Sequence, residues 1–228
     1  TKEKKMERNI VCNGEVVISG EIFRTKVYTL FTGYEYISQS GCFVKQYNYC
    51  EEFRPKIERE LAILRKNQCE SFPTIIHDLD IDTDGAYVAF SCNKARPVQK
   101  IVKSYSTLNP MEIRNIMIYL FKALRILKEN KLALTELPLE TVFYNDKEAS
   151  TLFFDITNTI KIGKNEFLQE MKLVREFIEK TVTWIDDDNA FCLSDDQELI
   201  DFYRTLCNDP LKSMEHRFVN GKSKPVSL

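Results

Sequence analysis

The chain has 228 residues, 43% of them hydrophobic, enough for a sizeable core in one large domain or two small ones. Its 32 basic and 34 acidic residues leave a net charge of −2, so no strong field favours nucleic acid or a membrane surface. Seven cysteines with no CxxC pair and no Asn-x-Ser/Thr sequon read as reduced thiols in a cytoplasmic protein, and no apolar run is long enough to span a bilayer. The first residue is Thr1 rather than Met, which fits a domain cut from a longer protein and leaves room for a fused partner.

The charged residues 1–8 are expected to fray. From Ile10 to about Tyr49 the sequence is β-rich. Val16-Val17-Ile18, residues 27–31 and residues 42–47 read as strands, with Gly14, Gly20, Gly33 and Gly41 at or beside their turns. A helix is predicted over about 52–66, with Ile57, Leu61 and Leu64 as its apolar stripe and Pro55 in its first turn. Residues 74–79 and 86–90, joined by the Asp-rich turn 80–85, form a further hairpin. A linker-like stretch, 91–97, follows.

The character then changes to helix. Asn109 as N-cap, Pro110 at the first helical position and Glu112 as the capping-box acid open a helix that runs to Glu129. Ile113, Ile116, Met117, Leu120, Phe121, Leu124 and Leu127 recur along it at helical spacing. Next, two four-residue apolar runs, 141–144 and 151–154, flank the turn Asn145-Asp146-Lys147-Glu148, and Asp155 follows at once. This arrangement of helix, loop, hairpin and acid carries most of the functional inference. A helix is predicted over about 166–180 on Phe167, Met171, Val174 and Ile178. A capping box at 194–197 opens a last one with Leu199, Ile200, Tyr203 and Leu206. The basic tail, 214–228, is expected to be loosely held.

This layout resembles the protein kinase fold: an α+β, bilobal protein with a β-rich N-lobe (1–90), a hinge (91–97), a mainly helical C-lobe (98–213) and a tail. Cys42-Phe43-Val44-Lys45 resembles the strand with the phosphate-pairing lysine, and Arg59-Glu60-Leu61 the helix whose glutamate pairs with it. Tyr87-Val88-Ala89-Phe90 resembles the strand ending at the gatekeeper, with Ser91-Cys92-Asn93 as hinge. Asp155-Ile156-Thr157 stands where the family has D-F-G. Ser91-Cys92 and Leu193-Ser194-Asp195-Asp196 are similar to the ribonuclease L and unfolded-protein sensor kinase-ribonuclease group.

The departures from the family pattern bear on function. Anchored at Leu137, the catalytic loop H-R-D-L-K-P-x-N puts Leu134 at the His, Thr135 at the Arg, Glu136 at the catalytic Asp, Pro138 at the Lys and Thr141 at the metal-binding Asn. Of the G-x-G-x-x-G loop counted back from Val27 only Gly20 remains, with Ile22 and Thr25 in the other glycine places. The segment after Asp155 is short and lacks A-P-E. The resemblance therefore implies a catalytically inactive pseudokinase, a regulatory or scaffolding module that contacts another protein or a fused domain, with a homodimer also open. Its cleft is empty or binds ATP weakly, with little or no magnesium dependence.

Gly20, Val27, Lys45, Glu60, Phe90, Cys92 and Asp155 are the candidate nucleotide-binding residues. Lys45 reads either as the phosphate-pairing lysine or as an edge-strand lysine with its head in water. Asp155 reads as a metal ligand or as a turn cap, Phe90 as gatekeeper or strand core, and Glu136 as a surviving base or a surface carboxylate. His77 and His216 lie far apart and no His/Cys/Asp group has ligand spacing, so no zinc site is expected.

Overall fold

The computed structural model describes residues 10–82, 85–92, 94–105, 108–162, 166–181, 196–213 and 215–220. The chain divides into two compact units, Thr1–Lys94 and Ala95–Leu228.

The first unit is a six-stranded antiparallel sheet with one helix. The strands are β1 (Ile10–Val11), β2 (Val16–Arg24), β3 (Tyr28–Glu35), β4 (Gly41–Tyr47), β5 (Ile75–Asp82) and β6 (Gly85–Ser91), in the order β1-β2-β3-β4-β6-β5. Helix α1 (Arg54–Lys66) joins β4 to β5, with Pro55 in its first turn. Alternation along β4 sends Phe43, Lys45 and Tyr47 to the face that meets α1. Cys42 and Val44 go to the other face. The helix buries Ile57, Glu60, Leu61, Ile63 and Leu64.

The opposite face has its own small core. Val11, Cys12 and Val16 cover Cys42, Val44, Tyr87 and Ala89, with Ile18 and Phe31 at its margin. Burial pushes the Cys12 thiol up to about 12 and the Cys42 thiol up to about 11, so both stay protonated and unreactive. The six described cysteines are all free thiols; Cys192 lies outside the described residues.

The second unit is mainly helical. Short strand β7 (Arg96–Pro97) leads into α2 (Val98–Tyr105) and the long α3 (Pro110–Glu129). Asn109 caps α3: its Oδ1 accepts from Glu112 N at 2.9 Å, and Glu112 Oε2 accepts from Asn109 N at 2.8 Å. Strand β8 (Leu132–Leu134), a 3₁₀ turn (Leu139–Thr141), β9 (Val142–Asn145), β10 (Ser150–Phe153) and β11 (Thr159–Lys161) follow. β9 pairs with β10 and β7, and β8 with β11. Helices α4 (Glu166–Thr181), α5 (Gln197–Asn208), α6 (Pro210–Ser213) and α7 (Arg217–Asn220) complete the unit. Phe202 of α5 joins the layers, stacked on Phe218 at 5.0 Å between ring centroids and edge-on to Phe121 at 6.1 Å.

Four sequence expectations change. The stretch 91–97 is not all linker: Arg96 and Pro97 pair with Tyr144 and Phe143. Helix α2 was not anticipated, although Val98 and Ile101 are buried one turn apart. The cap of α5 is Asp196, whose Oδ1 accepts from Leu199 N at 2.9 Å. Ser194, proposed for that role, lies outside the described residues, as do residues 1–8, Trp184 and 221–228. Within the supposedly loose tail, residues 215–220 are anchored by buried Phe218 and Val219.

Candidate functional site

In the first unit Lys45 and Glu60 are brought together. Lys45 Nζ lies 2.7 Å from Glu60 Oε1, and both side chains are 0% exposed. The second carboxylate oxygen, Oε2, accepts from the Tyr47 hydroxyl at 2.8 Å. Lys45 Nζ also sits 4.2 Å from the centroid of the Tyr28 ring, with the Tyr47 and Phe90 rings at 5.6 and 5.8 Å. The Glu60 carboxylate and the aromatic faces beside the ammonium both offset the cost of burying its charge. Glu58, the competing acid, instead accepts from the Tyr49 hydroxyl at 3.1 Å.

The face around Lys45 is filled by large side chains. Phe43 stands where the family motif V-A-I-K has alanine, and it is the cross-strand partner of Phe90. Both are buried. Leu30 is the cross-strand partner of Lys45 on β3, so Leu30 and Tyr28 share its face. Tyr28 meets Phe23 edge-on at 5.8 Å and Tyr47 at 6.1 Å. Cys92, half-buried, follows the end of β6.

The stretch aligned with the glycine loop runs through the end of β2 and into the turn that follows. Gly20 lies inside β2 opposite Thr32, where an added Cβ would meet only Thr32 Oγ1 at 3.5 Å. No close backbone approach requires a glycine there. Val27 is in the β2–β3 turn rather than on the strand, and its carbonyl accepts from Asn48 N. Thr25 closes that turn: its Oγ1 accepts from Val27 N at 3.1 Å and Tyr28 N at 3.0 Å, and its own N–H donates to Tyr28 O at 2.8 Å. The N–H groups of Thr25, Val27 and Tyr28 are consumed within the turn. Gly20 thus sits within a strand and Val27 in the turn that follows it.

In the second unit the loop of residues 134–141 is tied down by its own backbone. Thr141 is buried, and its hydroxyl donates to Pro138 O at 2.9 Å. Pro138 itself caps the 3₁₀ turn. Asp155 Oδ1 accepts from Thr157 N at 3.0 Å and from Thr157 Oγ1 at 2.6 Å, and Oδ2 accepts from Asn158 Nδ2 at 3.1 Å. This is the turn-cap geometry of an aspartate, with both oxygens engaged by neighbours in sequence. Glu136 is exposed, 3.3 Å from the same Asn158 amide. Among the described residues no group of three or more His, Cys, Asp or Glu side chains converges on a metal position.

Four residues that matter here were missed in the sequence. Tyr28 and Phe43 fill the space beside Lys45, and Asn158 links Asp155 to Glu136. The fourth is Glu170 of α4, 2% exposed, whose Oε1 accepts from Leu134 N at 2.7 Å and so fastens the strand that carries the loop. Burial raises its carboxyl to about 7, although the Leu134 N–H and the charge of Lys128 oppose the shift. An acid directly before Met171 of the α4 stripe was its sequence signal.

No family model and no curated protein sequence matches the chain. The fold is protein-kinase-like. It is similar to the crystal structure of Rad53 1–466 in complex with AMP-PNP, with a TM-score of 0.70 and 13% sequence identity over 95% of this chain and 69% of that one. No helix among the described residues is long and apolar enough to cross a membrane.

Proposed function

We propose that the chain is a pseudokinase domain that works as a regulatory or scaffolding module, contacting another protein or a domain fused to it, in the cytoplasm. The observation that carries this reading is the closure of Lys45, which is 0% exposed beneath the Tyr28 ring with Glu60 saturated by Lys45 and Tyr47. A lysine in that position has no path to an α- or β-phosphate unless Tyr28 moves. The transfer machinery supports the same reading. A phosphoryl transition state needs a base, metal ligands and phosphate donors aligned together. Here Thr141 and Asp155 spend their oxygens on local turns, and Pro138 supplies no charge.

A second reading is favoured by the Lys45–Glu60 pair itself, since the pairing at 2.7 Å is the one nucleotide-binding members of the fold use. In that reading ATP occupancy switches the partner, after Tyr28 and Phe43 rearrange. The finer likeness to the ribonuclease L group stays a sequence resemblance on Ser91-Cys92, because Leu193-Ser194-Asp195 lie outside the described residues.

The test is transfer of radiolabelled γ-phosphate from ATP to the chain itself and to a mixed protein substrate, with magnesium and with manganese. The proposal expects no incorporation above a heat-denatured control. Incorporation that disappears in Asp155→Ala or Glu136→Gln would replace it with an atypical kinase using Glu136 as base.

A further inference from the structure

Strands β8 and β11 form a two-stranded ribbon in the second unit, and its two edges differ. Leu132, Ala133 and Leu134 stand opposite Lys161, Ile160 and Thr159. Thr135 N donates to Asn158 O at 2.9 Å, and Ile162 N donates to Lys131 O at 3.0 Å. Hydrogen-bonded and non-bonded pairs alternate along an antiparallel ladder, so Ala133 and Ile160 bond each other between those two contacts. Leu132, Leu134, Thr159 and Lys161 therefore turn their backbone N–H and C=O groups outward. On the β8 side a helix fastens that edge: Leu134 N donates to Glu170 Oε1 of α4 at 2.7 Å. On the β11 side, no strand but β8 pairs with it among the described residues.

An outward strand edge is a ready template for another extended chain. This edge carries Ile160, an apolar side chain 47% exposed, followed by Lys161, also exposed. The two side chains point to opposite faces of the ribbon. Lys131, exposed as well, directly precedes Leu132, the residue opposite Lys161. The ammonium groups of Lys131 and Lys161 form no salt bridge among the described residues. Lys128 brings a third cation, and its carbonyl accepts from Lys131 N at 2.9 Å. Residues 128–134 and 158–162 hold these three lysines and one acid, Glu129. The buried acid Glu170 bonds the opposite edge. The open edge is therefore basic, with one apolar side chain upon it.

We propose that the outer edge of β11 is the contact surface for a partner protein, and that it takes an extended segment of alternating acidic and apolar residues as a third strand. A residue of that segment opposite Ile160 meets an apolar side chain, and its neighbour opposite Lys161 meets a cation. Main-chain bonds to Lys161 supply affinity, and the alternation supplies specificity. A second copy of this chain is a poorer occupant, because it would bring the same lysines to the same edge. The inference rests on the reading of the chain as an interaction module and adds where the partner sits and what it presents.

Fluorescence anisotropy of a labelled peptide of alternating glutamate and valine, about eight residues long, titrated with the full chain, tests the edge. The expected result is saturable binding with a dissociation constant of about 0.1 mM or tighter, weakened by salt, and no binding of the lysine–valine counterpart. Lys161→Ala should weaken binding about threefold, the loss of one exposed charge pair. Lys161→Pro should weaken it about tenfold more, because it also removes the outward N–H while sparing the ladder to β8. Two further peptides, N-methylated on the glutamates or on the valines, leave the protein unchanged. Alternate residues face β11, so one of the two should lose binding and the other keep it. No binding of the parent peptide overturns the proposal, as do equal affinities of the two methylated peptides or of the alanine and proline variants. A dimer of the chain alone that dissociates in Lys161→Pro also overturns it, giving the edge to a second copy. Phosphate incorporation would overturn the function proposed above and leave the peptide result standing, so the two failures are read apart.

Discussion

Glu170→Gln should make the protein more stable in alkaline solution and leave it unchanged in acid. The folded chain keeps a proton on Glu170 up to about pH 7, whereas a free glutamate releases it near 4.5. Between those values the folded state binds more protons than the unfolded one, so stability falls as the pH rises and levels off above the window. A gap of that size corresponds to about 3 kcal/mol once fully developed. Glutamine keeps a carbonyl acceptor for Leu134 N and carries no charge to desolvate. The gap is already net of the Leu134 N–H bond, which favours the charged form, so the variant escapes the full penalty. Urea unfolding at about pH 8 should therefore show the variant more stable by about 3 kcal/mol, with a rise of about 8 °C in melting temperature. At about pH 5 the two proteins should coincide. A difference between them that does not change with pH would refute the burial argument.

Three further substitutions probe the rest of the account. Lys45→Met strands the carboxylate of Glu60 in a site with no solvent exposure and should cost about 3–5 kcal/mol; adding Glu60→Gln should recover most of it, and additive losses in urea melts would show that the pair is not coupled. Thr157→Val removes the 2.6 Å hydroxyl donor to Asp155 and should cost about 2 kcal/mol, whereas a carboxylate free for a metal would leave the melting curve almost unmoved. Asn109→Ala should cost about 1 kcal/mol by opening the α3 capping box, read as a shift in denaturation midpoint at constant slope.

What the sequence disclosed, and what it withheld, follows from the range of the forces involved. Helix α3 was legible because its signals are local: Asn109, Pro110 and Glu112 state the start, and seven apolar residues state the face. The β9–β10 hairpin was legible for the same reason, from its turn residues. The Lys45–Glu60 pair rests on the order of the elements, since no local pattern joins a strand residue to one fifteen positions later in a helix. The role of Tyr28 was hidden because it depends on register. Tyr28 shares the face of Lys45 because β3 pairs with β4 so that Tyr28 stands opposite Tyr47 and Leu30 opposite Lys45, a register that no pattern within one strand states. The bonds of Asp155 to Thr157 and Asn158 were not legible because composition does not encode that turn geometry. The anchored segment 215–220 was masked by its charge, although Phe218 supplies the apolar contact that fixes it.

The central claim is that the frame of a phosphate-transfer fold is kept while its nucleotide position is occupied by its own side chains. It is tested most directly by titrating ATP against the protein and following the melting temperature, with and without magnesium, beside Lys45→Ala. The account predicts no shift for either protein at nucleotide concentrations of about 1 mM, far above those that saturate binders of micromolar affinity. A magnesium-dependent rise in the wild type that is lost in Lys45→Ala would contradict it.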